Sequence, residues 1–219
     1  MRWVEAAFGV VILAVVVTAP ANAGERRNWY GGVQFEANEN DFTGVITATS
    51  VCSILGLTPC PVVGEEVTRS SATGYGALAT LGTRIGNFRI EGEVGFRRAD
   101  ATQRATLTQT SAMLNGLFDV PVSDSITLSV GGGVGLDFVS WDHETNTDAD
   151  DSSLAYQGIA EISFALTDTI DLTLDYRYAV ASDLELEGVT MQYNSTNTVA
   201  LTLGEVDTQS VSVGFRFAL

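Results

Sequence analysis

Ile126-Thr127-Leu128-Ser129-Val130-Gly131-Gly132-Gly133-Val134-Gly135-Leu136-Asp137-Phe138-Val139 changes character at almost every step. Ile126, Leu128, Val130, Gly132, Val134, Leu136 and Phe138 fall on one side of an extended chain. Thr127, Ser129, Gly131, Gly133, Gly135 and Asp137 fall on the other. Successive side chains of a β-strand point to opposite faces, so the stretch predicts a strand with one apolar face and one small or polar face.

The same pattern recurs on both sides of it. From Leu154 to Leu166, Leu154, Tyr156, Ile162, Phe164 and Leu166 oppose Gln157, Glu161 and Ser163. From Ile170 to Val180, Ile170, Leu172, Leu174, Tyr176, Tyr178 and Val180 oppose Asp171, Thr173, Asp175 and Arg177. At the C-terminus Val211, Val213, Phe215, Phe217 and Leu219 oppose Ser210, Ser212, Gly214 and Arg216. Phe88 to Arg98 sets Phe88, Ile90, Val94 and Phe96 against Arg89, Glu91, Glu93 and Arg97. Weaker copies run from Trp29 to Ala37, Tyr75 to Arg84 and Ser111 to Val120, which makes eight strands. An even number lets an antiparallel barrel close with both termini on one side.

Either face could be the inner one. A soluble sandwich buries its apolar face, whereas a membrane barrel turns it toward lipid and keeps the polar face in the lumen. The sequence favours the membrane barrel. Aromatic residues gather toward the strand ends (Trp29, Phe88, Phe118, Phe138, Trp141, Phe164, Tyr178, Phe217), as interfacial girdles require. The polar face mixes glycine with acids and arginine, as a cramped interior would. No proline falls inside the eight segments. Connection lengths alternate too. Gly86-Asn87, Pro121 to Ser125 and Thr167 to Thr169 are tight turns, whereas Asn38–Gly74, Ala99–Gln109, Ser140–Ser153 and Ala181–Gln209 are longer and polar. Short periplasmic turns opposite longer extracellular loops characterise outer-membrane barrels.

The N-terminus reads as an export signal. Arg2 precedes an apolar run from Ala6 to Val17, too short to span a bilayer comfortably, and Ala21-Asn22-Ala23 supplies small residues before Gly24. Residues 1–23 are therefore expected to be a cleaved signal peptide and 24–219 the barrel domain.

Composition excludes several classes. With 45% hydrophobic and 17% charged residues the chain is not disordered. After the signal no apolar run is long enough for a helical span. A net charge of −16, with arginine supplying every basic residue, argues against nucleic acid and against docking on an anionic lipid surface. Cys52 and Cys60, with Pro59 and Pro61 bracketing the second, suit a disulfide closing a small loop in an exported chain. A metal site is the rival reading, but two thiols with no nearby histidine fit it poorly.

Short motifs in order also resemble a known family, the outer-membrane β-barrel domain of porin-family, OmpA-like surface proteins of proteobacteria. Trp29-Tyr30-Gly31-Gly32, Phe88-Arg89-Ile90-Glu91-Gly92-Glu93-Val94, Met113-Leu114-Asn115-Gly116-Leu117-Phe118-Asp119-Val120 and Gly131-Gly132-Gly133-Val134-Gly135 carry the likeness. It continues through Ala155-Tyr156-Gln157-Gly158, Leu174-Asp175-Tyr176-Arg177-Tyr178 and the terminal Val213-Gly214-Phe215-Arg216-Phe217-Ala218-Leu219. The resemblance implies that Phe215, Phe217 and Leu219 form the C-terminal signal read by the barrel-assembly machinery. Many relatives end on an aromatic residue, and this chain ends on Leu219. The likeness stops at strand 8, so no peptidoglycan-binding domain is expected.

The inward charges form the candidate site: Glu36, Arg84, Arg89, Glu91, Glu93, Arg97, Asp119, Asp137, Glu161, Asp171, Asp175, Arg177 and Arg216. An eight-stranded interior is just wide enough to be filled by side chains, and buried charges must be paired. Five arginines against eight acids leave three negative charges over, which calls for protonated carboxyls, interior water or bound cations. A closed, ion-paired plug is the main reading, and a narrow cation-preferring path is its rival. The third loop (Trp141, Asp142, His143, Glu144, Asp148, Asp150, Asp151) matches no calcium-loop spacing and reads as a solvated acidic loop. Ser140, His143 and Glu144 could be written as a hydrolytic set, but a loop tip offers no evident cleft or oxyanion donors. The first loop's apolar stretch, Val45-Ile46 through Ile54-Leu55-Gly56-Leu57, is read as that loop's own small core, with a partner-binding patch as the alternative.

The sequence thus predicts an all-β, eight-stranded, up-and-down transmembrane barrel in the outer membrane of a Gram-negative bacterium. Its expected role is structural or surface-interacting. A small-solute channel is the alternative and a lipid-modifying enzyme the distant one. No enzyme activity, cofactor or nucleic-acid partner is expected. Outer-membrane lipid, the assembly machinery and an extracellular partner at the long loops are the expected contacts.

Overall fold

The computed structural model describes residues 28–49, 64, 66–102, 105–143, 149–192 and 198–219. Its strands are β1 (Trp29–Thr49), β2 (Glu66–Ile85), β3 (Phe88–Thr102), β4 (Ala105–Pro121), β5 (Ile126–His143), β6 (Ala149–Ala165), β7 (Ile170–Gln192) and β8 (Thr198–Ala218). Each pairs antiparallel with its sequence neighbours, and β8 returns to β1, so the sheet closes without an edge. Closure pairs the ladder hydrogen bonds internally, which is what lets a sheet sit in hydrocarbon. Period-two alternation thus became the eight-stranded barrel it predicts.

The inside-out reading holds as well. Val33, Phe35, Ile90, Val94, Leu114, Val130, Val134, Leu174 and Val213 are exposed, while the charged and amide side chains one position away are buried. Phe88 and Phe96 mark the two ends of the apolar band on β3. At ~3.4 Å per residue and a tilt of about 40° they stand roughly 21 Å apart along the axis, close to the ~25 Å of a lipid-facing band. Phe88 meets Phe118 edge-on, with ring centroids 5.0 Å apart, at the tight-turn end. At the other end Tyr176 Oη donates to Gln209 Oε1 at 3.0 Å and Tyr178 Oη to Asp207 Oδ1 at 2.5 Å. Such rings keep an apolar body in lipid and a polar tip at the headgroups.

The tight turns lie between β2 and β3, β4 and β5, and β6 and β7. Gly86 sits at φ 63°, a conformation glycine adopts without steric cost in a two-residue hairpin. Val122 N donates to Ile126 O and Leu166 N to Ile170 O, each at 2.9 Å, closing the other two.

Three expectations need correction. Much of each expected loop is strand: β1 runs on to Thr49, β2 starts at Glu66, β7 reaches Gln192 and β8 starts at Thr198. A tilted membrane strand needs only about 9–11 residues, so β7, with 23, and β1 and β8, with 21 each, rise well beyond the bilayer. Likewise Asp142 and His143 lie on β5 and Asp150 and Asp151 on β6, where a free acidic loop was expected. Pro121 is the last residue of β4, paired with Thr127, not a turn residue. Proline is tolerated there because a strand end can forgo a ladder donor. The signal segment 1–23, Cys52, Cys60, the Ile54–Leu57 stretch, Glu144 and Asp148 lie outside the described residues.

Nitroxide labels placed singly at Leu128, Val130, Leu172 and Leu174 should relax strongly with oxygen and weakly with a water-soluble nickel chelate in reconstituted protein. Exclusion of oxygen from all four would mean that the apolar face is a packed core.

Candidate functional site

The lumen is filled in levels, each tied across the barrel by arginine. The lowest level, beside the tight turns, gathers side chains from all eight strands. Arg89 of β3 is fully buried and spends three nitrogens on three carboxylates. Nε donates to Asp119 Oδ1, Nη1 to Glu91 Oε1 and Nη2 to Glu161 Oε1, each at 2.8 Å. Arg216 of β8 takes the same Glu161 at 2.6 and 2.7 Å and approaches Asp171 of β7 at 3.8 Å. Ser129 of β5 and Arg84 of β2 complete Asp119, at 2.8 and 3.2 Å. Tyr30 of β1 donates to Glu91 at 2.8 Å, and its ring lies 5.3–5.9 Å from three guanidinium carbons, those of Arg84, Arg89 and Arg216. Cations over an aromatic face are attracted by its quadrupole.

The middle level centres on Arg177 of β7. Its Nε donates to Asp175 Oδ1 at 2.9 Å, its Nη2 to Gln34 Oε1 at 3.1 Å, and its Nη1 to Glu93. Gln34 Nε2 reaches Asp175 Oδ2 at 2.6 Å, and Ser212 also donates to Asp175. Asn115 and Gln157 each donate to Glu93 at 3.1 Å. The glycine run of β5 makes room for this: a Cβ at Gly133 would collide with the Asn115 amide.

The upper level holds Arg97, whose Nε donates to Glu36 Oε1 at 2.6 Å and whose Nη1 reaches Ser111 Oγ at 3.4 Å. Gln109 donates to Asp137 at 3.1 Å, and Thr208 to Asn40 at 2.8 Å. Toward the extracellular end the lumen face turns apolar: Leu107, Val139 and Val206 are each 1% exposed, with Ala99 and Ala181 beside them.

Eleven of the charged residues named from sequence are thus buried in the lumen. Arg84 and Asp171 are the exceptions, with side chains 44% and 29% exposed. They line the periplasmic mouth, where a cleft of about 260 Å³ opens between Arg84, Asn87, Asp119, Asp124 and Asp171. Sequence reasoning missed Tyr30, Gln34, Gln109, Asn115 and the apolar layer. Each shares the inward parity of a charged neighbour, and that phase was the available clue.

A closed, edge-free sheet with aliphatic residues outward and paired charges inward defines an integral membrane β-barrel. The chain belongs to the outer membrane protein beta-barrel domain family, whose model matches residues 8–217. It is therefore a protein of the Gram-negative outer membrane. Neisserial surface protein A has a similar solved fold, with TM-score 0.58 and 18% identity over 88% of this chain and 97% of that one. The N-terminal β-barrel domain of Pseudomonas aeruginosa OprF aligns with TM-score 0.40 and 12% identity over 85% and 97%. At these identities the likeness is one of fold. No curated protein matches the chain.

Proposed function

We propose that this protein is a closed structural barrel that presents an extracellular rim to a partner, and is neither an open channel nor an enzyme. The observation carrying the reading is the filled lumen. Arg89 and Arg177 each reach carboxylates or amides on several other strands, and the Leu107, Val139 and Val206 layer lies beyond them. Ions crossing such a path must shed water against apolar side chains and break buried ion pairs, both at high cost.

On this reading residues 1–23 direct export and are removed, and the assembly machinery engages β8 through Phe215, Phe217 and Leu219. A Cys52–Cys60 bridge pins the first loop. Surrounding lipid covers the aliphatic band, and the tall β7-β8-β1-β2 side of the rim faces an extracellular partner.

Planar-bilayer recording tests it. The purified barrel should give no discrete openings, and reproducible single-channel steps would establish the narrow cation path instead. Release of fatty acid from lipid A or phospholipid by the same preparation would overturn the non-enzymatic part.

A further inference from the structure

The ion-paired levels differ in how well they are satisfied. Five buried side-chain atoms lack a hydrogen-bond partner among the described residues: Glu36 Oε2, Asn38 Nδ2, Asp137 Oδ1, Ser153 Oγ and Ser210 Oγ. All five belong to the upper level, and their residues are at most 6% exposed. The lower two levels show none. A buried polar group left unsatisfied is costly, so a cluster of five at one height points to something that binds there.

Register pairs four of these groups two by two. Asp137 pairs directly with Ser153 across β5 and β6, and Asn38 pairs with Ser210 across β1 and β8. Glu36 lies two positions from Asn38 on the same inward face. Arg97 joins the two halves, because it donates to Glu36 and to Ser111, and Ser111 is the register partner of Asp137. The neighbouring inward positions are small: Gly74, Gly76, Gly95, Ala155 and Ala181. The room left at Gly74 and Gly76 is taken by Asn38 and Glu36 themselves, whose side-chain oxygens lie within 2.7 Å of where a Cβ would stand.

Charge selects the ligand. Two carboxylates face one guanidinium, so the upper level carries one negative charge too many. Water would satisfy hydroxyls and the amide but leave that charge unneutralised in a walled site, and a proton would serve only one oxygen. Hard cations take carboxylate and hydroxyl oxygens of this kind. We propose that the upper lumen holds a single small monovalent cation, with sodium as the probe, between Glu36 Oε2 and Asp137 Oδ1 and assisted by Ser153 and Ser210. The apolar layer above and Arg177 below enclose it, so the ion is a structural part of the folded barrel. The site does not depend on whether the barrel conducts.

A ligand that binds only the folded state raises its stability by mass action. The midpoint temperature of the folded-to-unfolded gel shift should therefore be compared in sodium chloride and in N-methyl-D-glucamine chloride at equal ionic strength. Wild type should gain roughly 3 °C or more in sodium. Asp137→Asn should lose that difference, and Asp124→Asn, which removes the same charge from an exposed turn, should keep it. Equal midpoints for wild type in the two salts would mean that water or a proton serves the site, and would end the proposal. Equal loss in both variants would mean general charge screening and end it too. If Asp137→Asn does not fold, Glu36→Gln takes its place under the same criteria.

Discussion

Arg89→Ala should destabilise the folded barrel more than any other single arginine truncation in the lumen. The loss should be at least the ~3–5 kcal/mol typical of removing one partner from a buried ion pair. The reason is connectivity. Arg89 is wholly buried and satisfies Asp119, Glu91 and Glu161 together, so its removal takes a cation from three carboxylates in one place. Arg216 still holds Glu161, Arg84 still pairs with Asp119 at 3.2 Å, and Tyr30 still donates to Glu91, so among the described residues Glu91 is the carboxylate left without a cation. Arg89→Lys should recover only part of the loss, because a single ammonium cannot meet three carboxylates held by a planar fork. Arg84→Ala is the control: its side chain is 44% exposed with one ion pair at 3.2 Å, and such pairs contribute about 1 kcal/mol or less. Urea unfolding in phosphatidylcholine vesicles would rank the three variants. If Arg89→Ala were no worse than Arg84→Ala, the lower level would not hold the barrel together.

The half of each strand within the bilayer was legible because lipid enforces contrast. On β7, Leu172, Leu174 and Tyr176 alternate with Asp171, Thr173 and Asp175, and the eye finds the period at once. Beyond the bilayer the contrast fails. On β1, Glu39 and Asp41 point outward while Asn38 and Asn40 are buried, so both faces are polar and the period vanishes although the ladder continues. The register also shifts between Glu39 and Asp41 in the pairing of β1 with β2, which breaks the phase a reader would follow. That is why strands reaching Thr49 and Gln192 read as loops.

For the lumen, parity gave the face but not the height. Nothing local in Arg89 or Glu161 says that residues 72 positions apart meet at 2.8 Å. That contact follows from the stagger of strands around a closed barrel, which a single segment does not encode. The apolar layer was hidden for another reason. Val139 and Val206 look like lipid-facing residues by type, and only their phase, in step with Asp137 and Thr208, turns them inward.

Leu174→Arg should cost roughly 2–4 kcal/mol, the range for arginine on the lipid face near the bilayer midplane. Leu174 sits on β7 between the Phe217 level and the tyrosines at 176 and 178, and it is 44% exposed to the surroundings of the barrel. Val122→Arg provides the comparison, since Val122 is 60% exposed in the turn after β4 and near the interface, where the same substitution costs about 0–1 kcal/mol. The neighbouring Asp175→Asn is not a neutral control. Asp175 accepts from Arg177, Gln34 and Ser212, and an amide NH2 would face donors where an oxygen stood. Its loss should come through the lumen and persist in any bilayer, whereas the Leu174→Arg penalty should fall in thinner lipid, as the interface moves closer to the charge. Measuring unfolding of both variants in vesicles of two acyl-chain lengths separates the two causes. A Leu174→Arg penalty that ignores bilayer thickness would mean that the side chain does not face the hydrocarbon.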